Sequence, residues 1–235
     1  MIRIGRSGFS YPEWIGDFYP RGTKRDGLLA YYATRFDAVE INMSFRRDVE
    51  EATIDKWRDA TPEDFRFTMK AHQRITHYKR LVDVGENVRE FVERAQRLGT
   101  RLGIVLFQTR SNLAFDAEVL ENFCASLHPG PTYALEARHE SFATSECDEI
   151  LRRHGVARCL NDDVFEPETY TVTAPVVYFR FHREKPYEPD ELQMRAELVQ
   201  KIASDGVDVY AFFAHEDNPE SIRPALRFQE LMSAS

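Results

Sequence analysis

Eight short apolar runs recur along the chain, and nearly every one ends in a charged or amide side chain. Ile2–Gly5 leads to Ser7, Ala38–Ile41 carries Glu40 and stops at Asn42, and Phe65–Met69 ends at Lys70. Ile104–Phe107 ends at Gln108, Tyr133–Ala137 holds Glu136 before Arg138 and His139, and Ala157–Leu160 ends at Asn161 and Asp162. Val176–Phe181 contains Arg180 and ends at His182, and Val209–Phe213 leads into His215, Glu216 and Asp217. Short β-branched and aromatic runs of this kind read as parallel strands buried on both faces. The stretches between them carry a helical period. Val88, Phe91, Val92, Ala95 and Leu98 share a face before Gly99, and Val119, Leu120, Phe123 and Leu127 follow Asp116, a helix N-cap. Ser145 with Asp148 resembles a capping box before Ile150 and Leu151, and Gly155 stands where that helix would stop. Leu192, Ala196, Val199 and Ile202 mark another helix, residues 222–232 the last, and Gly27–Phe36 and Glu51–Ala60 the first two.

Strands alternating with helices predict an α/β fold, a (β/α)8 TIM-type barrel forming one domain over residues 1–235. Asp163–Pro175 has no helical period, so the sixth crossover is expected to be irregular. The rival is an open doubly wound sheet, which would show a glycine-rich turn opening a helix after the first strand. Here Gly5-Arg6-Ser7-Gly8 runs into Phe9-Ser10-Tyr11-Pro12-Glu13-Trp14, a loop rich in aromatics.

Side chains alternate along a strand, and barrel chemistry sits where the C-terminal strand ends meet. Alternation turns Glu40 and Asn42 inward on the second strand, Thr68 and Lys70 on the third, and Glu136 and Arg138 on the fifth. Tyr178, Arg180 and His182 face inward on the seventh, Gln108 comes from the fourth, and Asp162 is assigned to the sixth. One polar ring around one mouth is the expectation. A buried charge can also serve packing alone, but apolar replacements often stabilise as well, so a ring this large reads as a site.

Composition narrows the classes. Hydrophobic residues make up 43% of 235, enough for a core, and no apolar run approaches the length of a membrane span. Met1-Ile2-Arg3-Ile4 enters a strand without the pattern of a signal peptide, and Cys124, Cys147 and Cys159 are odd in number with no metal-like spacing. A cytoplasmic protein with reduced thiols and no membrane partner is expected. Net charge is −8, which argues against broad coating of nucleic acid. Yet Arg46, Arg47, Arg74, His77, Lys79, Arg80, Arg110, Arg183 and Lys185 follow the strand ends, while Glu50, Glu51, Asp55, Glu90, Glu93 and Glu118 fall on helices. Basic residues gathered at one mouth suit an anionic ligand.

Ser7-Gly8-Phe9-Ser10-Tyr11-Pro12-Glu13-Trp14 with Phe18-Tyr19-Pro20 resembles the opening of the YecE-like family, a domain of unknown function (number 72). The resemblance continues in Val39-Glu40-Ile41-Asn42, Thr61-Pro62-Glu63-Asp64-Phe65-Arg66-Phe67, Ile75-Thr76-His77, Leu106-Phe107-Gln108, Glu136-Ala137-Arg138-His139 and Tyr178-Phe179-Arg180-Phe181-His182. It implies a TIM-type barrel and no particular reaction. The chain departs from the family pattern at Phe45-Arg46-Arg47, Thr109-Arg110-Ser111, Ser141-Phe142 and Ala214-His215, so it resembles a divergent member whose rim is changed.

Two classes of function follow. In the first, an enzyme performs metal-free acid/base chemistry on a small phosphorylated or carboxylated substrate. Glu40 or Glu136 would be the base and Lys70 the acid, Asp162 would join the catalytic set, and Ser7, Asn42, His77, Gln108, Arg138, His139, Arg180 and His182 would bind the ligand. No organic cofactor is indicated. Glu40, Glu136, Asp162 and His182 are also the ligand types of divalent-metal hydrolases and isomerases, but Lys70, Arg138 and Arg180 in the same ring would repel a dication. In the second class the protein binds nucleic acid or a phosphorylated ligand without turnover, through its arginine-rich loops and the aromatics Phe9, Tyr11, Trp14, Phe18 and Tyr19. The oligomeric state is left open.

Overall fold

The computed structural model describes residues 1–162, 170–183, 185–213 and 219–233. Eight strands pair in sequence order and close into a barrel. They are β1 (Ile2–Ser7), β2 (Ala38–Ile41), β3 (Arg66–Lys70), β4 (Leu102–Gln108), β5 (Thr132–Glu136), β6 (Ala157–Asn161), β7 (Val176–Phe181) and β8 (Asp208–Phe213). Every neighbouring pair is parallel, including β8 with β1. The open-sheet alternative is thereby set aside, and all the strands' C-terminal ends meet at one mouth.

The crossovers carry α1 (Leu28–Tyr32), α2 (Met43–Arg46), α3 (Glu51–Asp59), α4 (Gly85–Ala95), α5 (Ala117–Ala125), α6 (Ser145–Arg153), α7 (Pro189–Ser204) and α8 (Arg223–Ser233). Asp116 caps α5 as its sequence predicts, its carboxylate accepting the Val119 N–H at 3.1 Å. For α6 the cap lies one residue earlier than expected, because the Thr144 hydroxyl, not Ser145, accepts the Cys147 N–H. In the sixth crossover residues 170–175 have no helix or strand, while 163–169 lie outside the described residues, as do Ala214, His215, Glu216 and Asp217 after β8.

Alternation sorts the side chains into two cores. Outward-facing Val39, Ile41, Phe67, Met69, Val177 and Phe179 pack against the helices. Inside the barrel, Ala38, Ile104, Leu106, Ala134, Ala157, Cys159, Tyr178 and Phe212 form an apolar plug. Gly5 is required at its position because a Cβ there would stand 2.0 Å from the Ala38 carbonyl oxygen, so only glycine lets β1 and β2 approach. The Tyr32 hydroxyl ties the same strands, accepting the Arg6 N–H at 2.8 Å and donating to the Ala38 carbonyl at 3.1 Å. The aromatic loop after β1 is core: Trp14, Phe18 and Tyr19 are buried, and the Arg6 guanidinium lies 5.0 Å from the Trp14 ring. Cys124, Cys147 and Cys159 are free and buried, and burial raises all three thiols above their ordinary value.

Candidate functional site

Above the apolar plug the barrel interior turns polar. Register sets the layer: Ser7 lies beside Glu40, Glu40 beside Thr68, Gln108 beside Glu136, and Asn161 beside Arg180. Arg180 is the bridge. Its Nε and Nη2 donate to Glu40 Oε2 and Oε1 at 3.0 and 2.9 Å, and its Nη1 donates to Glu136 Oε2 at 2.5 Å. Glu40 also accepts from the Ser7 hydroxyl at 2.5 Å and the Tyr178 hydroxyl at 2.6 Å. Glu136 accepts from Gln108 Nε2 at 2.7 Å, Asn161 Nδ2 at 3.0 Å and Arg138 Nε at 2.8 Å. Lys70 Nζ donates to Gln108 Oε1 at 2.7 Å, and Ser7 Oγ lies 2.9 Å from His182 Nε2. One connected network therefore runs from His182 to Lys70 across the mouth.

The charges in this network are sharply biased. Burial alone would raise the Glu40 carboxyl, but the charges of Arg180 and His182 and the hydrogen bonds it accepts draw it down to about 2. Burial opposes ionisation of Glu136 too, and Arg180 and Arg138 overcome it and hold that carboxyl well below the usual range. Lys70 moves the other way. Burial first, then the Arg180 charge, lowers its amine to about 8, although Glu40 and Glu136 pull upward. The direct partners of its Nζ are a neutral amide and the Phe45 ring, whose centroid lies 4.3 Å away. No carboxylate oxygen lies within 4 Å of that Nζ among the described residues.

Two carboxylates here face three cations, Arg180, Arg138 and Lys70. His77 adds to that side of the mouth from a π-helical turn, Arg74–Tyr78, a feature frequent at functional sites. Its ring meets Phe45 edge-on at 4.8 Å, and burial together with Lys70, Arg110 and Arg138 lowers its pKa. Asn42 brings an amide whose Nδ2 and Oδ1 are both buried without a hydrogen-bond partner among the described residues, and the buried Thr68 hydroxyl is likewise unpaired among them. Unsatisfied buried polar atoms are costly, and at a barrel mouth they are what a bound ligand would satisfy.

Of the residues singled out in the sequence, Ser7, Glu40, Lys70, Gln108, Glu136, Arg138, Arg180 and His182 join the network, and Asn42 and His77 belong to the same mouth. Asp162 does not join the ring, which corrects its inward assignment. Its Oδ1 accepts the His182 N–H at 2.9 Å, its Oδ2 accepts the Tyr187 hydroxyl at 2.6 Å, and Arg195 of α7 pairs with it at 3.3 Å. Alternation from Ala157 and Cys159 turns Asn161 inward instead, and that parity was available in the sequence. His139 makes no hydrogen bond to the network among the described residues; its Nδ1 accepts the Ser141 N–H at 3.2 Å and caps the turn Glu140–Phe142. Tyr178 faces inward as alternation predicts, and its hydroxyl joins the network by donating to Glu40, a contact that strand parity alone does not assign. The four ligand types of a metal centre do not converge, since Arg180 stands between the glutamates and Asp162 faces α7. At the rim, Arg46, Arg47 and Arg110 are exposed, whereas Arg183 is paired with Glu191.

Fold and site together define a parallel eight-stranded α/β barrel whose mouth is filled by a buried, arginine-centred charge network. The chain belongs to the family described as "Protein of unknown function DUF72", which its sequence matches over residues 3–235. It is 31% identical over 170 residues to the UPF0759 protein YecE of Escherichia coli strain K12, covering 69% of this chain and 59% of that one. The match therefore spans about three-fifths of that relative's length. A crystal structure of a DUF72 family protein from Thermotoga maritima MSB8 is similar, with a TM-score of 0.87, 28% identity and 99% of each chain covered. A sugar phosphate isomerase/epimerase from Parabacteroides distasonis shares the barrel fold alone, at a TM-score of 0.59 and 11% identity. No helix among the described residues is long and apolar enough to cross a membrane.

Proposed function

We propose that the mouth of the barrel binds a small phosphorylated or carboxylated substrate and performs acid/base chemistry on it, with Lys70 as the titrating group. The observation that carries this reading is the division of labour inside the ring. Arg180 occupies both carboxylates, so Glu40 and Glu136 are poor proton acceptors near neutral pH and act as a fixed electrostatic frame. Lys70, paired among the described residues with a neutral amide and an aromatic face, keeps a charge that an anion can neutralise and an amine that can exchange a proton near pH 8. Arg138 supplies a further donor for the anion.

Titration calorimetry with inorganic phosphate and with pyruvate, on the wild type and on Lys70→Met, tests the reading. A lost charge-assisted hydrogen bond is worth about 1.5–3 kcal/mol, so the variant is expected to bind about tenfold or more weakly. Equal affinity in both proteins would contradict the assignment. Binding to single-stranded nucleic acid that falls steeply with salt, without phosphate or pyruvate binding, would point to the rim arginines instead.

A further inference from the structure

We infer that Lys70 is a covalent catalyst, forming an imine with the carbonyl group of a substrate that carries a phosphate or carboxylate. The inference rests on the reading of the mouth as an anion site and adds the electrophile that this site activates. It begins from the placement of one amine. The chain has only six lysines, and Lys24, Lys56, Lys79, Lys185 and Lys201 are all exposed, whereas Lys70 is buried at the C-terminal end of β3. The other 25 basic side chains are arginines, which cannot serve as nucleophiles. The one buried amine thus stands inside the polar ring, at the face where barrels do chemistry.

Its surroundings suit nucleophilic attack better than simple charge pairing. A structural lysine would be expected against a carboxylate, yet Lys70 donates to Gln108 Oε1 at 2.7 Å and packs on the Phe45 ring. A neutral amine can keep that hydrogen bond and still present its lone pair to the mouth. Desolvation and the neighbouring Arg180 favour the neutral form, the usual way a lysine becomes nucleophilic near neutral pH. Glu40 and Glu136 pull the other way, so the two carboxylates would offset part of the cost that burial and Arg180 impose on a protonated imine at Nζ.

The step balances without a redox partner. The Nζ lone pair forms a bond to the carbonyl carbon, the C–O bond then breaks, and the oxygen leaves as water with both amine hydrogens. Protonation of the imine nitrogen gives a cation adjacent to the substrate's α-carbon, an electron sink for proton abstraction or carbon–carbon cleavage there. Arg138, with Nε on Glu136 and a side chain 40% exposed, is placed to hold the anionic end.

Reductive trapping tests this. The wild-type protein is incubated near neutral pH with sodium cyanoborohydride and either pyruvate or glyceraldehyde 3-phosphate, and the modified lysines are located by peptide mass spectrometry. Lys70 is expected to be labelled at least about tenfold faster than any of the five exposed lysines, with excess inorganic phosphate suppressing its label alone. In Lys70→Arg, which removes the amine, selective labelling should vanish while the five exposed lysines label at their wild-type rates. Labelling spread over the exposed lysines, with Lys70 unmodified by both probes, overturns the imine. If wild-type phosphate binding remains in that case, the anion site stands and only the covalent step falls; if it is also absent, both fall.

Discussion

Arg180→Met is expected to lower the unfolding free energy by about 3–5 kcal/mol, the cost of leaving buried charge without its partner. Arg180 and both its glutamates are almost fully buried, and it supplies three of the hydrogen bonds those carboxylates accept. The loss should come from the stranded anions, not from a missing side chain. The triple variant Glu40→Gln, Glu136→Gln, Arg180→Met should therefore recover much of the stability in chemical denaturation. The same frame sets the acid limb of the wild type. A carboxyl drawn from 4.5 down to about 2, as in Glu40, carries about 3 kcal/mol of linked stability. Because its folded pKa is depressed, that contribution is complete above about pH 5 and fades as pH falls toward 2. Glu136 acts in the same direction. A wild type that kept its full stability down to pH 2 would contradict the ion-paired frame.

Lys70→Met should do the opposite, raising stability near neutral pH by about 1–2 kcal/mol while weakening anion binding about tenfold or more. Burial lowers the Lys70 amine from 10.5 to about 8, so the folded protein holds its proton less tightly than the unfolded chain. Below pH 8 the charged lysine is a net cost, partly offset by its bond to Gln108. Between about 8 and 10.5 the unfolded chain binds more protons, and wild-type stability gains on that of the variant as pH rises. Differential denaturation of the two proteins across this range shows the convergence. A strongly destabilised Lys70→Met would mean that the lysine serves packing, not ligand.

Most of this architecture is legible in the sequence because two periodicities report it. Eight apolar runs with polar ends correspond to eight parallel strands, and their alternation brings Glu40, Lys70, Gln108, Glu136 and Arg180 to one mouth. Asp162 ends the same run as Asn161, but alternation turns Asn161 inward, so the carboxylate falls outside the ring and pairs with Arg195 of α7. His139 stands among charged neighbours in the sequence, yet its ring closes a local turn. Pairing across the barrel is a different matter. That Arg180 would take both glutamates and leave Lys70 with an amide depends on distances between β2, β3, β5 and β7, which no local pattern encodes.

NMR titration of the lysine side-chain amines, with and without inorganic phosphate, tests the central claim most directly. The six lysines are few enough to be assigned one by one. The account predicts that Lys70 titrates near 8 in the free protein and moves upward when phosphate binds, because a neighbouring anion favours the charged amine. A Lys70 that titrates near the ordinary lysine value of about 10.4, unmoved by phosphate, would contradict it.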